Sequence, residues 1–175
     1  MLRLKLLEGS LAAVVVAFTA SYAGAREFSA RLIGFNETPL AILSDASGAL
    51  RLDLDKNAQT ATYTLTYDNL SSPILFSHIH FGKVHVTGGV IAFLCGGGGK
   101  PACPQSAPPS SPVTGTITAA SIVGPTAQGV GVGVFDGLED ALTSNTAYAN
   151  VHTNNFPSGE IRGQVRRVDR EDQQN

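Results

Sequence analysis

From residue 27 onward the chain alternates apolar and polar positions with the two-residue period of β-strands. Residues 60–68 carry the pattern most clearly, with Ala61, Tyr63, Leu65 and Tyr67 on one face and Thr62, Thr64 and Thr66 on the other. Residues 49–54 repeat it, Leu50, Leu52 and Leu54 facing in and Arg51 and Asp53 out; the short turn between the two predicts a hairpin. Residues 27–35 form another strand, with Phe28, Ala30 and Leu32 on one face, broken before Pro39, which has no amide hydrogen for a ladder. Residues 74–81 are apolar on both faces, as expected of a central, doubly covered strand. Shorter strands are expected at 90–94, 113–117, 148–152 and 160–165, and 129–135 carries alternating glycines. Helical spacing appears once, in 135–142. Short strands, Gly/Pro turns and at most one short helix predict an all-β domain, an antiparallel β-sandwich or Greek-key barrel.

The amino-terminal stretch changes what counts as the folded chain. Arg3 and Lys5 precede an apolar run over 10–20, and Ala23-Gly24-Ala25 offers small residues for cleavage, so residues 1–25 read as a signal peptide. The run is short of the roughly 20 residues a transmembrane helix needs. The mature protein is expected to be exported, periplasmic or extracellular, with no membrane association once the signal is removed. Without Arg3, Lys5 and Glu8 it carries 13 acidic and 10 basic residues, a net charge of −3, and has no basic block to attract nucleic acid. One domain is expected over 26–165, with a disordered charged tail over 166–175. The only cysteines, Cys95 and Cys103, flank a glycine-rich stretch, and in an exported protein a pair so close most simply forms a local disulfide; free thiols or a thiolate metal site are the alternatives, though the segment lacks the CxxC spacing of zinc knuckles. Residues 95–112 are otherwise a long Gly/Pro/Ser loop. The glycines before Lys100 do not make a phosphate loop, because Pro101 stands where that motif needs Ser or Thr.

The sharpest chemistry lies in Ser77-His78-Ile79-His80-Phe81-Gly82-Lys83-Val84-His85, which holds three of the four histidines. Alternation puts His78 and His80 on one face of a strand, about 7 Å apart. Such a pair can share a metal ion or hydrogen-bond within the sheet. His85 falls in the following loop. Far along the chain, Tyr148, Asn150 and His152 share one face of another strand.

Asn36-Glu37-x-Pro39, then His78-x-His80 with Gly82, then Asn150-Val151-His152-Thr153, then Gly159-Glu160-Ile161-Arg162-Gly163 resemble, in this order, the CHRD (chordin) domain. The resemblance spans about residues 28–165 and is to the single-copy, exported microbial kind. It implies an exported β-rich domain and no settled activity. Growth-factor binding is not implied, since the cysteine-rich repeats that accompany the domain in chordin are missing. It brings Glu37, Asn150, Glu160 and Arg162 into the company of the histidines.

Neutral imidazole suits copper and zinc, so the expected ligands are His78, His80 and His152, with His85 as a fourth and copper favoured over zinc. A His-x-His strand pair completed by a distant histidine also begins the copper site of Cu/Zn superoxide dismutase, itself a β-sandwich, where an arginine guides the anionic substrate. Arg162 is the corresponding cation here. This is an analogy of spacing only, and no aspartate sits among the histidines to complete a zinc subsite. The competing reading makes the histidines structural, hydrogen-bonded to backbone or to Glu37 and Glu160, with Arg162 paired to Glu37. The domain would then be a non-catalytic interaction module with a protein or surface partner, or a purely structural unit. Hydrolysis is disfavoured, because Ser77 and His78 face opposite sides of their strand. Asn36-Glu37-Thr38 and Asn69-Leu70-Ser71 match the N-glycosylation pattern but read as turn chemistry.

Overall fold

The computed structural model describes residues 25–168. Its elements are β1 (Ala25–Ile33), β2 (Ser47–Asp55), β3 (Thr60–Asp68), β4 (Ile74–Phe81), β5 (Gly89–Cys95), β6 (Val113–Ile117), α1 (Asp136–Thr143), β7 (Ala147–Thr153), β8 (Ile161–Gln164) and β9 (Arg166–Arg167). The strands make one antiparallel sheet in the order β5-β4-β7-β8-β1-β2-β3-β6, with β9 beside β1. The sheet curls until its two edge strands approach, giving a nearly closed barrel. The Tyr63 hydroxyl on β3 donates to the Leu94 carbonyl on β5 at 2.6 Å and ties the two ends of the sheet together.

Alternation decides what fills the barrel. Phe28 and Leu32 from β1, Leu50, Leu52 and Leu54 from β2, Leu65 and Tyr67 from β3, Ile79 from β4 and Val151 from β7 point inward and are fully buried or nearly so. The β2–β3 hairpin pairs in unbroken register from Ser47↔Asp68 to Asp55↔Thr60, so the two clearest sequence patterns share one inner face. The stretch 129–135 is a set of turns rather than a strand, with Gly129 and Gly133 at φ 90° and 76°, values that glycine adopts without strain. Helix α1 follows it directly and buries Leu138, Ala141 and Leu142.

The ordered domain runs further than the sequence pattern indicates. Arg166 and Arg167 pair with Ser29 and Phe28, and the Val168 amide donates to the Glu27 carbonyl, so the first residues of the expected disordered tail are strand. The remainder of that tail, from 169, and the expected signal peptide up to residue 24 lie outside the described residues.

Cys95 and Cys103 are joined by a disulfide across a sequence separation of 8. It fastens the long loop to the end of β5, where the Gly96 amide also donates to Pro101. A closed loop of this length is worth about 2.5 kcal/mol of chain entropy. The Cys95→Ser/Cys103→Ser protein is therefore expected to unfold at lower urea, by about that free energy; an unchanged midpoint would show that the bridge constrains the loop alone.

Candidate metal centre

Strands β4, β7 and β8 lie side by side, and their outward faces carry the residues singled out in the sequence. The register sets His78 opposite Asn150 and Asn150 opposite Arg162; one step along, His80 faces Tyr148 and Tyr148 faces Gln164; one step the other way, Phe76 faces His152. The polar patch is thus a consequence of period-two alternation on three neighbouring strands. It is not open to solvent. His78, His80, Asn150, His152 and Arg162 are all more than nine-tenths buried, beneath the segment after β1, the turn 82–88 and the turn 154–160.

The three imidazoles converge, and their ligand atoms lie within 4.8 Å of one another. His78 Nδ1 is 3.0 Å from His80 Nε2, and the Asn150 Oδ1 atom is 3.0 Å from both His80 Nε2 and His152 Nε2. On the far side of two rings the tautomer is fixed by backbone. His80 Nδ1 lies 2.9 Å from the Gly88 carbonyl and His152 Nδ1 lies 2.9 Å from the Pro157 carbonyl. A carbonyl only accepts, so both Nδ1 atoms carry hydrogen, and both Nε2 atoms of the neutral rings present lone pairs to the centre. His80 Nε2 being an acceptor, His78 Nδ1 donates to it when no ion is bound, and this ring alone would have to carry its hydrogen on Nε2 instead for Nδ1 to serve as a ligand.

Asn150 therefore meets two lone pairs. Its carbonyl oxygen satisfies neither, and the conflict has two physical resolutions. The amide can turn over and donate through Nδ2, or a cation can accept the nitrogens. The second is the arrangement of metal-bound histidines, whose outer N–H is held by a carbonyl so that the inner nitrogen is aimed. Two nitrogens on one ion, each at about 2.0–2.1 Å, lie no more than about 4.2 Å apart. Ligand atoms as far apart as the 4.8 Å within which these three lie would have to be drawn closer by an ion.

Burial keeps the rings neutral, as ligands must be. It pushes His78 down to about 3, helped by its two histidine neighbours, and pushes His152 down to about 4; His80 is lowered by the same cause. The surroundings are aromatic. Phe76 packs on both His78 and His152, and Phe93 meets His78 edge-on at 4.6 Å. A Cβ at Gly97 or Gly98 would fall 2.4 or 2.6 Å from the Phe93 ring. The glycine run is thus a packing surface for a ring that buttresses His78, which is why its likeness to a phosphate loop is only superficial. Gly88 has a similar necessity: a Cβ there would sit 1.7 Å from the Phe81 carbonyl, and this tight turn aims the Gly88 carbonyl at His80.

A family model described as the CHRD domain matches residues 28–165. The chain belongs to the CHRD family. No curated protein and no solved structure matches the chain. The CHRD match takes in all four motifs quoted above, and the fold brings most of their polar residues to one place. His78, His80 and His152 form the cluster, and Asn150 lies at its centre rather than behind it. His85 lies apart from them, exposed on the turn 82–88 at φ 60°.

The other motif residues hold the cover of the CHRD domain in place. The Arg162 guanidinium stacks on Tyr148, 3.4 Å from the ring centre, and donates to Thr38 Oγ1, Val86 O and Lys83 O. It thereby fastens two covering loops and has little freedom to guide an anion, contrary to the dismutase analogy. It does not hydrogen-bond Glu37 either. Glu37 is buried against Gly159 with Oε1 lacking a hydrogen-bond partner, and burial raises its carboxyl to about 7 although Arg162 and the Thr38 amide oppose the shift. Glu160 instead accepts from Ser44, Ser71 and Thr153; burial alone would raise its carboxyl, but these bonds hold it below the ordinary range. The imidazoles thus find backbone carbonyls and an amide where the sequence suggested carboxylates. Tyr148, stacked parallel to His80 at 4.6 Å, is the participant the sequence reading did not single out beyond its face. Its alternation with Asn150 and His152 was the available signal.

Proposed function

We propose that this protein is an exported domain that binds one transition-metal ion through His78, His80 and His152, copper in preference to zinc, and serves in metal handling. One observation carries the reading: the Gly88 and Pro157 carbonyls fix two imidazoles as Nδ1–H tautomers, so that their Nε2 lone pairs converge. Three nitrogen ligands suit copper or zinc and leave coordination room for a further donor. The site lies just beneath the surface under three loops, which supports uptake and release of the ion. A disulfide and a strand-rich, mildly acidic domain are compatible with export. The test is the metal content of protein produced in an oxidising compartment and then offered copper and zinc. One ion per chain is expected, and protein that takes up neither ion defeats the reading.

A second reading is favoured by a specific feature of the same site. If the Asn150 amide turns over, Nδ2 donates to His80 and His152 together, and the cluster becomes a structural network. The domain would then act through its surface, on which Phe35, Leu40 and Leu43 stand exposed. Retained stability without any ion, together with capture of a partner lost on substituting these three residues, would support it.

A further inference from the structure

Three imidazoles and one amide make up the candidate centre, and no Asp, Glu or Cys joins the cluster among the described residues. Every donor is neutral and more than nine-tenths buried. Phe76 and Phe93 supply apolar walls, and Tyr148 covers His80 with one face of its ring. On the other face of Tyr148 lies the Arg162 guanidinium, 3.4 Å from the ring centre. Glu37, a carboxyl that interacts with that cation, is itself buried, and burial raises it to about 7, so it offsets the guanidinium only in part.

These features discriminate between ions by charge. The cost of taking an ion from water into a poorly polarisable site grows with the square of its charge, and repulsion from a fixed cation grows with the charge itself. Neutral donors return less to a divalent ion than carboxylates or thiolates do. Imidazole accepts copper but is not the sulfur donor that selects Cu(I), so the preference here rests on charge and burial and not on ligand type. We infer that the site holds copper as the monovalent Cu(I) ion, in preference to Cu(II) and to zinc. The inference rests on the metal-binding reading above and adds to it the charge of the ion held. Asn150 is then the residue that sets this preference, since it occupies the centre where a carboxylate would favour a divalent ion.

The experiment measures three affinities on the full protein. Cu(I) is titrated without oxygen against a chromophoric cuprous chelator, and Cu(II) and zinc are titrated by calorimetry. Cu(I) is expected to bind at one ion per chain, about a hundredfold tighter than either divalent ion. In Asn150→Asp, shown by circular dichroism to be folded, the preference is expected to move about tenfold toward Cu(II). Cu(II) or zinc binding as tightly as Cu(I) to the unaltered protein would overturn this inference and leave metal binding standing. Binding of no ion would overturn both. The comparison on the unaltered protein decides the matter even where the variant does not fold.

Discussion

His152→Ala is expected to reduce bound copper from one ion per chain to a trace. The substitution removes one of three converging nitrogens, and with it the ring that the Pro157 carbonyl and Asn150 hold in place. Loss of outer-sphere support alone weakens metal sites by about 10–100-fold, so loss of a ligand from a three-nitrogen site is expected to cost at least that. His85→Ala is the matched control, because His85 is exposed on its turn and is not a member of the cluster. Thermal melts give a second readout. An ion at a hundred times its dissociation constant stabilises the folded state by about 2.7 kcal/mol, so copper should raise the melting temperature of the unaltered protein and of His85→Ala but not of His152→Ala. A purely structural histidine predicts a different pattern. Its removal would leave the Pro157 carbonyl and the Asn150 amide unpaired at a cost of about 1–3 kcal/mol, with no copper response in any of the three proteins.

The barrel was legible in the sequence because its interior is apolar and its strands obey a period of two. The β2–β3 hairpin follows from residues 49–68 with no tertiary information, and the short helix follows from the spacing in 135–142. The pairing of His78 with His80 was legible for the same reason, as was the common face of Tyr148, Asn150 and His152. What one sequence does not contain is which strands are neighbours. The placement of β7 between β4 and β8 turns three separate alternations into one cluster, and that is a property of the sheet order. The partners of Glu160 and Arg162 were not legible for a related reason. Their partners are Ser44, Ser71, Thr38 and Val86, which lie in loops without periodicity, so no pattern linked them in advance. Asn150 shares a face with His152, yet its position between two lone pairs depends on backbone carbonyls at Gly88 and Pro157, which no side-chain motif reveals.

Metal-free protein is expected to lose about 2 kcal/mol of stability as pH falls from 7 to 5, and Glu37→Gln is expected to lose about twice as much. Two opposing sets of groups produce this difference. His78 and His152 titrate at about 3 and about 4 in the folded state against 6.5 ordinarily, chiefly because they are buried. Their contribution is complete above 6.5 and drains away as pH falls toward the folded values; at pH 5 the two together account for about 3–4 kcal/mol. His80, lowered in the same sense, adds to the loss. Glu37 acts the other way. Its folded value of about 7 lies above the ordinary 4.5, so its contribution is complete below 4.5 and is lost as pH rises through 7. Acidification from 7 to 5 therefore restores about 2 kcal/mol at this one carboxyl, masking roughly half of the histidine effect. Glutamine fills the same space without titrating and removes the mask. Urea unfolding of both proteins at pH 7, 6 and 5, with a chelator present, measures the two slopes. Parallel slopes would mean that the Glu37 carboxyl is solvated in the folded state, which its burial against Gly159 and its unpartnered Oε1 oppose. A steeper slope for the variant would establish that this carboxyl holds a proton beneath the cover that Arg162 fastens.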